Sequence, residues 1–302
     1  MIYGLIAAIG WGTSAIAATN AARRAGTYIA VLSGQGVGVV LLVLLAAFLH
    51  PPLAAIGPAA VGLVGAGLLG LLGYLTFYRA LEYGGAVGLV SAISATYGGI
   101  TTLLAVIVLG EHIGRSGAAG VVLAVAGVAM ASARSPGIAE KPPVAVAEPI
   151  VGVAPGPSRV RGLSRAGVPL ALASAVTYGF GGFLLGDYSA RAGALASALV
   201  AHGSSVTVLL LALPFLGRRK DGRAGTSGLM WAVAAGLTDA VGLLAFSRGG
   251  QVGQVAVTAA VSSVYPVIPL VAGLVMFGER LSRRQLLGII LIIVGLVMIG
   301  LN

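Results

Sequence analysis

The chain has 302 residues, of which 58% are hydrophobic and only 9% are charged, and its mean hydropathy is +1.04. Soluble domains are about 45–50% apolar and about 25% charged, so this composition excludes a water-soluble globule and indicates a polytopic membrane protein. The absence of cysteine excludes a disulfide scaffold and thiolate chemistry. The net charge of +10 lies in short loops between apolar runs, so it reflects membrane topology and not a nucleic-acid partner.

Ten apolar runs follow one another along the chain. A bilayer core of about 30 Å takes roughly 20 apolar residues per helix, and each run approaches that length and is bounded by charges, prolines or glycine-rich turns. The pattern predicts an all-α membrane protein with ten transmembrane helices at Ile2–Asn20, Tyr28–Leu49, Ala59–Ala80, Ala86–Leu109, Gly117–Ala133, Val168–Leu185, Ala194–Leu216, Leu229–Ser247, Val252–Phe277 and Leu286–Leu301.

The composition changes between the fifth and sixth spans. Residues 134–166 contain six prolines and five Lys or Arg residues, a composition typical of a flexible linker. The sequence therefore predicts a first five-helix repeat at residues 1–133, the linker at 134–166, and a second repeat at 167–302.

The two halves match each other residue by residue. At an offset of 167 or 168 residues the matching pairs are Trp11 and Tyr178, Arg24 and Arg191, Gly26 and Gly193, Gln35 and His202, Ser94 and Ser262, and Tyr97 and Tyr265. Because each repeat has an odd number of helices, the second copy must enter the membrane in the opposite orientation. Such inverted repeats are characteristic of transporters that bind their substrate near the middle of the bilayer.

Three further patterns give the chain a family resemblance. They are Ala8-Ile9-Gly10-Trp11-Gly12-Thr13 at the start, the pairs Gly110-Glu111 and Gly278-Glu279 after the fourth and ninth spans, and the spacing Gly120/Gly127 and Gly288/Gly295 in the fifth and tenth spans. With these residues the chain resembles a ten-helix member of the drug/metabolite transporter superfamily built from two EamA domains. The resemblance implies a central cavity formed mainly by spans one, three, four, six, eight and nine.

The charge distribution predicts the orientation. Fifteen of the 18 Lys and Arg residues fall in loops on one side of the predicted membrane and three on the other. The positive-inside rule places the richer side in the cytoplasm. We therefore expect a multi-pass protein of the cell (inner or plasma) membrane with both termini outside the cytoplasm.

Asp239 and His202 are ionisable residues inside predicted spans. A charged group at the bilayer centre costs at least about 2.5–3.5 kcal/mol, so such residues suggest function. Asp239 lies near the middle of the eighth span; it is a candidate to bind a substrate ammonium or carry a coupling proton, and the alternative is a hydrogen bond that only positions its helix. His202 is a second candidate for proton coupling, although the resemblance does not make span seven a principal cavity wall and so favours a role in helix packing.

Hydroxyl and aromatic residues recur at equivalent positions of the two repeats. Ser94 and Tyr97, like Ser262 and Tyr265, are three residues apart and share a helical face, and Thr258 extends the second face. A tyrosine offers a substrate both an apolar ring and a hydroxyl. The candidate substrate contacts are Ser94, Tyr97, Thr258, Ser262, Tyr265, Trp11, Tyr178 and Tyr78, with core packing or an interfacial aromatic belt as the alternative.

Proline and glycine mark candidate hinges in the fourth and ninth spans. Pro266 and Pro269 interrupt the backbone hydrogen bonds of the ninth span. The first repeat has Gly98 and Gly99 near the corresponding place, so we expect the two spans to bend differently.

Together these features predict a secondary active transporter. We expect an exporter of small organic metabolites such as amino acids, which works by alternating access and is coupled to protons. The alternatives are multidrug efflux by the same fold, an intramembrane enzyme acting on lipid or isoprenoid substrates, and a scaffold that transports nothing. We expect no enzymatic activity, no cofactor and no metal; the partners are a small-molecule substrate and the lipid bilayer, and the protein is a monomer or a homodimer.

Overall fold

The computed structural model describes residues 1–51, 56–83, 86–110, 114–132, 167–215, 225–252, 255–278 and 281–300. All regular structure in these ranges is helical, which confirms the predicted fold class. The α-helices are α1 (Ile2–Ala25), α2 (Thr27–Leu49), α3 (Ile56–Glu82), α4 (Val87–Ser94), α5 (Tyr97–Leu109), α6 (Arg115–Ser132), α7 (Gly167–Ala192), α8 (Ala194–Ala212), α9 (Thr226–Val252), α10 (Val255–Ser262), α11 (Val267–Val275) and α12 (Arg283–Gly300). A 3₁₀ turn, Leu213–Phe215, follows α8.

Eight stretches of these ranges are long and apolar enough to cross a membrane. Two of them are pairs of short helices in line, α4 with α5 and α10 with α11, and α6 and α12 supply the fifth helix of each repeat. The third and eighth spans extend beyond their predicted ends, to Glu82 and Val252. The predicted linker, residues 134–166, lies outside the described residues.

The fourth and ninth spans are broken at equivalent positions. The first break is a short turn at Ala95 and Thr96, and the second runs from Ser263 to Pro266. Pro266 has no N–H to continue the helical ladder. The first break contains no proline, and the hydroxyl of Thr96 instead donates to the carbonyl of Ile93 at 2.8 Å, a local bond that competes with helical geometry. The breaks therefore differ in length, but their position in the repeat is the same.

The tight turns of the two repeats also correspond. Gly26 and Gly193 have φ of 77° and 85°, and Gly110 and Gly278 have φ of 69° and 59°. Glycine adopts this backbone region without the steric cost that a Cβ adds. Equivalent residues thus reverse the chain after the first and fourth spans of each repeat.

The turns at Gly26 and Gly193 are each held by a side chain from the third helix of the same repeat. Glu82 Oε2 accepts hydrogen bonds from the backbone N–H and hydroxyl of Thr27, at 3.2 and 2.5 Å, and forms an ion pair with Arg79. In the second repeat Gln251 Oε1 accepts from the N–H of Ala194 at 3.2 Å and from Arg248 at 2.7 Å. We call these two groups the Glu82 latch and the Gln251 latch.

The repeats pack against each other through glycine. A Cβ on Gly127 of α6 would lie 2.6 Å from the carbonyl oxygen of Gly288 in α12, and one on Gly120 would lie 2.5 Å from that of Gly295. Small residues allow such close approach of membrane helices. In the same way α1 packs on α9, where a Cβ on Gly10 would lie 3.0 Å from the Cα of Gly242, and α3 packs on α7.

Candidate functional site

A cavity of about 110 Å³ lies between the repeats. Its walls come from α1, α2, α3, α7, α8 and α9, from Tyr97 at the start of α5, and from Tyr265 in the break before α11. The polar and aromatic lining residues are Trp11, Ser14, Gln35, Tyr74, Phe77, Tyr78, Tyr97, Tyr178, His202, Ser205, Asp239, Phe246 and Tyr265. A mainly apolar and aromatic lining with a few polar groups is typical of a site for a small organic molecule.

Asp239, the only acidic residue in the described part of the lining, lies at the middle of α9. It is only 4% exposed. The hydroxyl of Tyr74 in α3 lies 2.8 Å from both carboxylate oxygens, and Nε2 of Gln35 in α2 donates to Oδ2 at 3.4 Å. A buried carboxylate is stable only with such partners. Together with α9, which carries Asp239, the helices α2 and α3 therefore meet at this carboxylate.

His202 of α8 completes the group around Asp239. Its Nε2 lies 3.3 Å from Asp239 Oδ2 and makes no hydrogen bond of good geometry. The ring also packs closely against α2, since a Cβ on Gly38 would lie 2.7 Å from it. A neutral ring therefore fills space between helices, whereas a protonated ring forms a buried ion pair with Asp239. We call Gln35, Tyr74, His202 and Asp239 the Asp239 cluster.

Spans two and seven, which the resemblance does not make principal walls, also contribute residues to the cavity lining. Gln35 and His202, equivalent residues of those two spans, both line the cavity and both face Asp239. The carboxylate comes from the second repeat alone, but both repeats contribute the same structural position to hold it. A family resemblance that assigns whole helices to the cavity does not predict these contacts, because a helix outside the main wall can still place one side chain in the cavity lining.

Aromatic rings form most of the remaining wall. The rings of Trp11 and Tyr97 meet edge to face at 5.9 Å, and those of Tyr74 and Tyr178 at 5.4 Å. Trp11 also lies 5.4 Å from the ring of Phe246. Edge-to-face pairs are favourable for aromatic quadrupoles, and they hold the rings in one arrangement around the cavity.

The two equivalent rings Trp11 and Tyr178 are seated in the same way. Trp11 lies against Gly242 of α9, where an added Cβ would be 2.8 Å from the indole, and Tyr178 lies against Gly73 of α3. Each glycine belongs to the opposite repeat. The absence of two side chains thus makes room for two rings at the cavity edge.

The structure brings six of the nine candidate substrate contacts to the cavity. They are Asp239, Tyr97, Tyr265, Trp11, Tyr178 and Tyr78. Ser94, Ser262 and Thr258 are buried outside its lining. The hydroxyl of Ser94 bonds that of Ser174 at 2.6 Å, and Ser262 bonds the hydroxyl of Tyr97 at 2.7 Å, so Ser262 orients a lining residue.

The hinge candidates lie at or near the two breaks. Pro266 is the last residue of the second break and Pro269 is buried in α11. Gly98, one residue into α5, packs against α10, since a Cβ there would lie 2.8 Å from the carbonyl oxygen of Ala259. A Cβ on Gly99 would meet nothing within 4 Å.

Sequence reasoning missed the role of Tyr74 and Gln35 as partners of Asp239. Tyr74 and Tyr78 are one helical turn apart and both line the cavity, so the spacing shows a shared face but not which neighbour the face meets. Gln35 is recognisable as the repeat partner of His202, which is the one signal that could have joined it to the site.

The fold and the cavity define a class: helical membrane proteins of two inverted five-helix repeats that enclose a central site. The EamA-like transporter family matches residues 1–133 and 165–301. The chain belongs to this family and is a membrane transporter of the drug/metabolite transporter superfamily.

One solved structure, which carries only the words "Crystal structure of protein", is similar over 99% of this chain and 95% of its own length, with a TM-score of 0.69 and 19% identity. At that identity the likeness shows the fold alone. No curated protein matches the chain at a significant level.

Proposed function

We propose that the protein is a proton-coupled secondary transporter that exports small organic molecules from the cell by alternating access. The observation that carries this proposal is the carboxylate of Asp239, buried at the middle of a membrane helix and facing a cavity between inverted repeats. An acidic group at that depth is costly and marks substrate or proton pathways.

The two broken spans give the repeats a way to move. Tyr97 directly follows the first break, Tyr265 lies within the second, and both rings line the cavity. A change of backbone angle at either break therefore moves a cavity wall. In transporters with inverted repeats, access alternates between the two membrane faces largely when one repeat rocks or gates against the other around the fixed site.

Coupling to protons follows from the cost of a buried charge. A net charge in the Asp239 cluster opposes any rearrangement that moves it through a dry environment. A proton on His202, 3.3 Å from Asp239, or on the carboxylate itself neutralises the cluster. The carrier therefore changes its open side more readily when a proton or a cationic substrate balances Asp239.

We further propose that the protein lies in the inner or plasma membrane and that both of its termini are outside the cytoplasm. The support is the distribution of Lys and Arg, 15 on one side and three on the other. A reporter active only in the cytoplasm should be inactive at either terminus, and an active terminal fusion would reverse this orientation.

The test of function is transport by the purified protein in liposomes. A pooled metabolite mixture is added outside, a pH gradient is imposed, and the lumen is analysed by mass spectrometry. We expect accumulation of a few compounds that depends on the gradient and is lost in Asp239→Asn. Asp187→Asn is the matched control, because Asp187 pairs with Arg191 outside the cavity lining. Equal accumulation by wild type and Asp239→Asn would contradict the proposal.

A further inference from the structure

The ionisable groups that line the cavity favour a positively charged ligand over a negatively charged one. Among the residues that the structure describes, the lining has one carboxylate, Asp239, and one imidazole, His202, and includes no Lys or Arg. Eight aromatic side chains surround these two groups. A cation finds both a carboxylate and the negative faces of several rings, whereas an anion finds no permanent positive charge.

Many hydroxyl donors of the lining are already used. Ser14 and Ser205 donate to the backbone carbonyls of Ala235 and Gly67 at 3.1 and 2.9 Å. Tyr265 donates to the carbonyl of Ser91 at 3.1 Å, and the hydroxyl of Tyr74 lies on Asp239. A zwitterionic amino acid would have to bury its carboxylate here without a Lys or Arg partner among the described lining residues, and near a second carboxylate, which is unfavourable.

Gln35 adds a specific acceptor beside Asp239. Its Nε2 donates to the carboxylate, which fixes the orientation of the amide because the reverse orientation would set oxygen against oxygen. Its Oε1 is then buried without a hydrogen-bond partner. A buried acceptor left unpaired costs about 1–3 kcal/mol, so this oxygen calls for a donor from a ligand.

We propose that the cavity selects a protonated primary or secondary amine without a carboxylate, whose N–H groups are shared between Asp239 and Gln35 Oε1 while its apolar or aromatic body lies against the rings. This inference rests on the proposed function, because it names the substrate class of the same site. It separates amines from quaternary ammonium ions, which carry charge but no N–H to satisfy Gln35.

The test is binding to the purified full chain in lipid nanodiscs, measured by calorimetry with four compounds that share a phenylethyl body. They are phenethylamine, its N,N,N-trimethyl derivative, phenylalanine and 2-phenylethanol. We expect phenethylamine to bind about ten- to a hundredfold more tightly than phenylalanine or phenylethanol, as one charge-assisted hydrogen bond allows. It should also bind about tenfold more tightly than the trimethyl derivative.

Substitutions test separately the two proposed hydrogen-bond acceptors, Asp239 and Gln35 Oε1. Asp239→Asn should weaken both cations about ten- to a hundredfold, Asp239→Glu should restore part of the loss, and Asp187→Asn should change neither. Gln35→Leu should weaken phenethylamine and leave the trimethyl derivative unchanged, so the latter reports that the pocket remains intact. Equal loss of the two cations in Gln35→Leu, or phenylalanine binding as tightly as phenethylamine, would overturn the inference.

The binding experiment and the transport experiment can fail independently of each other. If phenethylamine binds through Asp239 but liposomes accumulate no compound, the proposed function is wrong and the substrate class stands. If liposomes accumulate zwitterions through Asp239 while phenethylamine does not bind, the proposed function stands and the substrate class is wrong.

Discussion

The two repeats have the same scaffold and unequal chemistry. Their turn glycines, their broken spans and the glycines that seat Trp11 and Tyr178 occupy equivalent positions. Asp239 has no such counterpart: at the offset of 169 residues that relates Phe77 to Phe246, its equivalent is Gly70. The difference teaches that symmetric contacts build the fold, while one asymmetric carboxylate makes the site, held by the equivalent residues Gln35 and His202.

The largest effect is expected from moving the carboxylate to the other repeat. Gly70 lines the cavity, and a Cβ there would meet nothing within 4 Å, so the site has room for the first atom of a side chain in Gly70→Asp. Combined with Asp239→Asn, it should leave gradient-driven transport roughly a hundredfold below wild type, because the new carboxylate lacks the partners of the Asp239 cluster. Liposome uptake measures this, and recovery of transport would mean that depth alone defines the site.

The next effect concerns the contact of α6 with α12, where the repeats meet backbone to backbone. Gly127→Ala places a methyl group 2.6 Å from a carbonyl oxygen that cannot move aside. We expect a loss of about 3 kcal/mol of stability, the upper end for overpacking, seen as a lower melting temperature in detergent. Gly57→Ala, at a site with nothing within 4 Å, is the control and should not lower it.

A smaller effect is expected at the two glycines that seat the cavity rings. In Gly73→Ala and Gly242→Ala the added methyl meets a side chain, the ring of Tyr178 or Trp11, which can shift toward the cavity. Each variant should lose about 1 kcal/mol of stability and bind substrate more weakly, to a similar extent in both. A much larger effect of one substitution would show that the two walls are not functionally equivalent.

The smallest effects are expected at the latches, which differ in charge. Glu82 accepts from Thr27 twice and pairs with Arg79, whereas neutral Gln251 accepts from Ala194 and Arg248. We expect Glu82→Ala to cost about 1–2 kcal/mol and Gln251→Ala about 0.5–1 kcal/mol. Melting temperatures of the two variants test the order, and the reverse order would mean that the ionic latch adds nothing.

Much of the architecture could be predicted from the sequence. Apolar run lengths predicted the helix count because a bilayer of fixed thickness demands it. Gly26 and Gly193, matched in sequence, both adopt positive φ in the structure. Among the substrate candidates, Ser94, Ser262 and Thr258 lie outside the cavity lining. Their spacing placed them on one helical face with Tyr97 or Tyr265, yet that face is wide enough to touch both the cavity and a neighbouring helix.

The sequence by itself determined that the chain spans a membrane, that its halves are inverted copies and that Asp239 is the exceptional buried charge. These properties depend on composition, span length and internal matching, which need no knowledge of helix contacts. Only the tertiary structure decided that Gln35, Tyr74 and His202 surround Asp239. Those four residues come from four helices far apart in the chain, and in a nearly uniform apolar background helix rotation and neighbour choice are decided by packing alone.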